Sequence, residues 1–434
     1  SILNERFGHS WKLTKNGSTL ELSLDGETGK IVFDNLSKDL TEAHSNQPCS
    51  LWDAEAEGSN SVLGAPLPAP GFDVLPYPLI EQKDDDYLLH YDILGLTYWM
   101  LARVEEIGRK DLDEHERFPA TSSHAYKHGY LERPIVDEWM HLLGQIITQK
   151  WTFLSLAKHK FETVVSCDVD HLFEYNCKAI KILKRFAGDI VKRKSLNKAL
   201  RNIFGEVFVL LGFYNFDPFY KGIKYIMDKC EENNLSALFF ILIYKTHKVY
   251  DADAGVNRKG LSVLKFIHKR GHKIGLHPGY YTYNDSVKLE ISCGLVKEKL
   301  NSIKIYPEKM ASRQHFLRWK TPTTKELLDD NEISLDSTLG YADHIGFRCG
   351  TCIKYRMFNA VKQNVNEVKQ LPLIVMDVTI TGENYMNLDT VKAKERVTKI
   401  QDVCKRVNGS FVILWHNSFL LDKNQIEIFT KAIN

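Results

Sequence analysis

The sequence has no excess of either charge: 57 Lys and Arg stand against 55 Asp and Glu, a formal net charge of +2. Such a balance gives no global attraction for a polyanion, and nucleic acid is not an expected partner. Long apolar runs are also missing. The strongest, Phe208 to Tyr214 and Ala237 to Tyr244, fall well short of the roughly 20 residues that a bilayer-crossing helix needs, so a soluble protein is expected. The opening SILNERFGHSWKLTKNG has no charged region, apolar stretch and small-residue cleavage site of a secretory signal. Eight cysteines in 434 residues are too dispersed for a disulfide scaffold, which favours a reducing, cytoplasmic setting. Nor is there a glycine-rich phosphate loop, a His-Glu-x-x-His helix or a Gly-x-Ser-x-Gly elbow, which sets aside nucleotide kinases, zincins and serine hydrolases. Cys349-Gly350-Thr351-Cys352 has no second Cys-x-x-Cys with which to build a structural zinc site.

What is present is ordinary globular material, 44% hydrophobic, 26% charged and 11% aromatic, in a length that suggests two to three domains. The texture changes near residue 155, so residues 1–155 read as a smaller α/β domain and 156–434 as a second domain. In the first, Thr19 to Leu24 and Lys30 to Phe33 are β-like runs around the turn signal Asp25-Gly26. After a Pro-rich stretch from Ala65 to Pro78, Ile93 to Ile107 and Pro134 to Thr148 carry apolar residues at helical spacing.

From Thr163 onward, strand, polar exit and helix alternate. Val164 to Cys167 ends in Asp-Val-Asp-His, Lys273 to Leu276 ends in His277-Pro278, and Ser410 to Leu414 ends in Trp415-His416-Asn417. Ala237 to Tyr244, Lys309 to Leu317, the region Ser334 to Cys349 and Leu373 to Val378 are further strand candidates, and Leu261 to Arg270, Val287 to Ile303 and Val391 to Val407 read as helices. Alternation with reactive side chains at the C-terminal ends of strands predicts an α/β fold, a distorted (β/α) barrel with its site on one rim.

In Asp168-Val169-Asp170 the two carboxylates share a strand face, since residues i and i+2 point the same way. A divalent cation held by one of them would offset their repulsion and leave the other as a general base. His277, at a strand exit, is a suitable ligand for zinc or a similar metal, and His315 and His416 stand at two more exits.

These segments resemble the polysaccharide deacetylase family, the nodulation-type chitooligosaccharide deacetylases and their relatives, over residues 160 to 420. The family's Thr-Phe-Asp-Asp-like first motif corresponds to Ser166-Cys167-Asp168-Val169-Asp170, with one residue inserted. Its Gly-His-x-Ile-Gly-x-His motif appears as Gly271-His272-Lys273-Ile274-Gly275-Leu276-His277, but the second histidine expected four residues later is Tyr281. Arg313-Gln314-His315 is similar to the Arg-x-Pro-type motif, and Leu414-Trp415-His416 to the final Leu-His motif. Residues 1–155 resemble the N-terminal domain of a bacterial subgroup.

The resemblance implies a metal-dependent N-deacetylase of an acetylated amino sugar in a bacterial surface polysaccharide or its lipid-linked precursor. By family order Asp168 is the base and Asp170 a metal ligand, although the inserted Val169 leaves those roles exchangeable. His277 is a second ligand; His315, with His171 as competitor, replaces the histidine missing at Tyr281. His416 is the acid that protonates the departing amine, and Arg313 orients the base. Arg348, Asp336 and Trp415 are the candidate substrate contacts, with a salt bridge as the alternative for Arg348 and a capping role for Asp336. The implied cofactor is a divalent metal, zinc foremost. Two rival readings stay open: an inactive glycan-binding relative, and a metal-dependent hydrolase of a non-sugar amide. Finally, Lys178 to Arg201 carries nine Lys and Arg against the single acid Asp189, interleaved with apolar residues. That pattern raises a peripheral contact with anionic membrane beside the commoner solvated helix face.

Overall fold

In the computed structural model the described residues are 2–175, 179–191, 194–252 and 256–434, with only the backbone described for 179–181, 184 and 198. Lys178, Lys192 and Arg193, and the side chains of Lys181, Lys184 and Lys198, lie outside that description. The chain forms two compact units. One gathers residues 1–163, 316–387 and 395–412; the other gathers 164–315, 388–394 and 413–434.

The second unit carries the parallel strands. Ala237–Leu242 is buried along its whole length, as expected of an apolar run covered on both faces. It pairs in parallel with Glu162–Val169 on one side, Asp168 opposite Phe240, and with Lys273–His277 on the other, His277 opposite Leu242. Met310–Ser312 follows next, Leu276 opposite Ser312. Each strand is thus added on the same side as the last. This single winding is how a (β/α) barrel wall grows, whereas a doubly wound sheet would reverse direction.

The intervening helices are stopped and started by their own sequence. Pro218–Glu232 has Pro at its first position and Asp217 as its cap, Arg258–Lys269 is capped by Asn257, and Ser286–Ser302 by Asp285. Gly275 lies where a side chain would strike the Ala311 carbonyl and the Phe240 ring, so the strand beside it can approach only because that position is bare.

In the first unit, Thr19–Leu24 pairs antiparallel with both Trp11–Asn16 and Ile31–Phe33, and Ile31–Phe33 pairs in parallel with Asp86–Leu89. The expected helix from Ile93 stops at Leu101 and continues as a short 3-10 turn, Val104–Glu106; that from Pro134 runs Ile135–Lys150. Between them the rings of Tyr91 and Trp139 stand 4.2 Å apart, and the Trp139 indole donates to the Pro68 carbonyl at 2.7 Å. An antiparallel pair, Tyr355–Asn359 with Asn364–Gln370, joins Ile333–Asp336 in parallel.

Candidate metal centre

Strand alternation does at the end of Glu162–Val169 what the sequence implied. Asp168 is the penultimate residue of the strand, Asp170 follows its end, and both carboxylates face the end of the Lys273–His277 strand. His277 Nε2 lies 3.6 Å from Asp168 Oδ2 and 3.6 Å from Asp170 Oδ1. Its Nδ1 donates to the Arg313 carbonyl at 2.5 Å, which fixes the tautomer and leaves the Nε2 lone pair facing the carboxylates. Burial holds this imidazole below its ordinary pKa, against the pull of Asp168, and so favours the neutral, ligating form.

His315 arrives from the next exit, just beyond Met310–Ser312. Its Nε2 is 3.4 Å from Asp170 Oδ1, and its Nδ1 is 2.7 Å from Asp251 Oδ1. Asp251 is buried and accepts from the Thr246 amide and hydroxyl, the His247 amide and the Tyr280 amide. Burial alone would raise its pKa, yet the hydrogen bonds from His315 and Thr246 drive it well below the usual carboxylate range. Gly279 lets this loop close, since a Cβ there would press on the Tyr244 carbonyl and on Asp251 itself.

Asp170 Oδ1, His277 Nε2 and His315 Nε2 therefore converge within 4.8 Å of one another. In a tetrahedral zinc site with bonds of about 2.1 Å, ligand atoms stand about 3.4 Å apart; the two separations from Asp170 Oδ1 are 3.4 and 3.6 Å. That same oxygen is buried and has no hydrogen-bond partner among the described residues, an expensive state for a carboxylate unless a cation takes its lone pair. Burial pushes the Asp170 carboxyl up, but the charges of His315, His416, His277 and His171 outweigh it and hold the group below its ordinary pKa. The donor set, one carboxylate and two imidazoles whose second nitrogens are engaged by a backbone carbonyl and a carboxylate, fits a divalent ion such as zinc.

Asp168 is held differently. Its Oδ1 accepts from Arg313 Nη1 at 3.0 Å, the same nitrogen donates to Ser166 Oγ at 2.8 Å, and the guanidinium lies 4.6 Å over the Phe240 ring. Ser166 Oγ in turn donates to the Ile413 carbonyl. Arg313 thus fixes Asp168 Oδ1, and Oδ2 stands 3.6 Å from His277 Nε2. His416 follows Ser410–Leu414 and is near enough to Asp170 for its charge to be felt there. His171, also within electrostatic reach, is exposed and lies outside the converging set.

The other candidate residues are placed elsewhere or turned to other partners. Trp415 is fully buried with its ring 5.5 Å from Phe429, so its indole packs the core of its unit. Arg348, in the first unit, is buried and bidentate to Glu106 at 2.8 and 2.9 Å, which is the salt-bridge alternative. Asp336 is buried and accepts from the Thr338 amide and hydroxyl, a local turn at the end of its strand where no helix begins for it to cap. Tyr281 belongs to an aromatic group with His247 and Tyr280. Asp251 is the functional residue that sequence reasoning missed: it stands in a loop with no motif, and only its place after the Ala237–Leu242 strand hints at the site.

A family of unknown function (DUF7033) matches residues 2–152. No curated protein matches the sequence. Among solved structures the chain is similar to a Mycobacterium smegmatis protein described as a polysaccharide deacetylase, at 14% identity over 64% of this chain and 85% of that one, with a TM-score of 0.42. It is also similar to the PuuE allantoinase, at 13% identity over 63% and 83% with a TM-score of 0.39. A Pseudomonas aeruginosa PAO1 protein described as a polysaccharide deacetylase matches at 14% identity over 50% and 69%, with a TM-score of 0.35.

Proposed function

We propose that the chain is a metal-dependent amide hydrolase that removes the N-acetyl group from an amino sugar of a bacterial surface polysaccharide or its lipid-linked precursor, with residues 1–155 as an accessory domain. The observation that carries this reading is the convergence of Asp170, His277 and His315 beside an Arg313-fixed Asp168. Asp170, His277 and His315 would hold the divalent ion, zinc foremost, which when bound supplies Lewis-acid polarisation of an acyl oxygen and a water of lowered pKa. Asp168, with Oδ1 on Arg313, removes a proton at Oδ2 from the attacking water. Arg313 is a positioning residue: its hydrogen bond to Oδ1 sets the carboxylate plane. His416 donates its proton to the departing amine.

The test is hydrolysis of N-acetylated oligosaccharides by the metal-loaded chain, read by amine release, beside the Asp168→Asn variant. Loss of a general base lowers kcat by about 10² to 10⁴-fold with metal content unchanged. A purified chain that binds no divalent ion would exclude the hydrolase, and equal kcat for Asp168→Asn would remove the base assignment.

A further inference from the structure

The helices Ala179–Val191 and Leu196–Leu210 pack with their polarity reversed relative to a water-facing hairpin. Among the described side chains, the acids of the pair lie on the inside. Asp189 and Glu206 are buried; Asn202 donates to Asp189 at 2.6 Å, Arg185 to Glu206 at 2.8 Å, and Tyr175 to Asn202 at 3.1 Å. Apolar side chains lie on the outside: Leu183, Val191, Leu196, Phe204, Leu210 and Leu211 are each 60 to 72% exposed. Scattered exposed leucines need no explanation, but a contiguous helical pair that buries its acids and presents its leucines does.

We propose that this helical pair is a peripheral docking surface for an anionic lipid bilayer. The charge pattern selects that occupant. Residues 178–201 hold nine Lys and Arg and one acid, and that acid, Asp189, is buried. The sequence excess of Lys and Arg disfavours a second copy of the chain, which would carry the same excess, and complements anionic headgroups. Lys194 and Arg201 are exposed on the same pair. Arg201, Lys221 and Arg185, the last paired to Glu174 at 3.0 Å, line the polar side of a cavity of about 1300 Å³, and Val191, Phe204 and Phe216 line its apolar side, a make-up that leaves Arg201 and Lys221 for a phosphate headgroup and apolar surface for the start of its chain. Apolar groups inserted at headgroup depth with cations beside them are how an interfacial helix holds to a membrane.

The inference does not rest on the hydrolase reading, and its test uses no turnover. The full chain is sedimented with phosphatidylcholine vesicles, with and without phosphatidylglycerol, at low and high salt. Association is expected only with phosphatidylglycerol and is expected to weaken with salt. Arg201→Glu should lower partitioning by about fivefold or more, and Phe204→Gln with Leu210→Gln by about tenfold or more. Thermal unfolding of each variant checks that the fold is kept, and the lipid dependence of the unmodified chain stands without them. The proposal is overturned if the chain sediments with neither vesicle or equally with both, if Phe204→Gln with Leu210→Gln leaves binding unchanged, or if those substitutions abolish a concentration-dependent dimer.

Discussion

Asp251 acts on the site without belonging to the converging set. Four donors from residues 246, 247 and 280 hold it as an anion, and its remaining interaction orients His315 Nδ1. An anion here fixes the tautomer in which His315 Nε2 keeps its lone pair. Asp251→Asn retains the shape but loses that charge, and an outer partner of a ligating histidine is typically worth 10 to 100-fold in metal affinity. We therefore expect zinc affinity, measured by competition with a chromogenic chelator, to fall by about 10 to 100-fold while the melting temperature of the metal-free chain changes much less than for a core substitution. Asp168, Asp170, His277 and His315 were legible in the sequence because each follows an apolar run, and strand ends are where this fold class keeps its chemistry. Asp251 was not legible: it lies nine residues past a strand, and its meaning comes from amides contributed by two different loops.

At the scale of elements, capping decides what is rigid around the site. Asp217 caps Pro218–Glu232 through the amides of Phe219 and Tyr220 and accepts as well from Glu174 and Tyr175, in the stretch that follows Asp170 and His171. One carboxylate thus ties the segment leaving the site strand to the helix that packs behind it. Asp217→Ala leaves four amides without this acceptor and should cost about 2 kcal/mol or more in urea denaturation, with Asp217→Asn recovering part of the loss. A cost below about 0.5 kcal/mol would show that water replaces the cap. The parallel strands were readable from apolar runs, and Arg258–Lys269 and Ser286–Ser302 from helical spacing, whereas Pro218–Glu232 was not read. The Tyr355–Asn359 and Asn364–Gln370 pair was not, because Asn-Val-Asn-Glu-Val-Lys-Gln alternates around an exposed face and carries little apolar signal.

For the whole molecule, the stability of the first unit depends on a contact that no local pattern announces. Glu106 meets Arg348, 242 positions away, and also Arg103 at 2.9 Å, with all three side chains buried. Burial by itself would raise the Glu106 pKa, but Arg348 and Arg103 overcome it and lower the group from 4.5 to about 2. A folded-state pKa below the unfolded value means that the contribution is fully present above pH 4.5 and is lost as the pH falls toward 2. Glu106→Gln removes the anion and leaves two guanidinium groups buried without their shared charge, a loss of about 3 to 5 kcal/mol at neutral pH. The decisive comparison is the slope of unfolding free energy against pH. The unmodified chain should lose stability more steeply between pH 4.5 and 2 than Glu106→Gln, because only the former has this carboxylate to protonate. Equal slopes in the two proteins would mean that Glu106 titrates in the folded chain as it does in the unfolded one, and the ion cluster would then contribute nothing to the acid sensitivity of the fold.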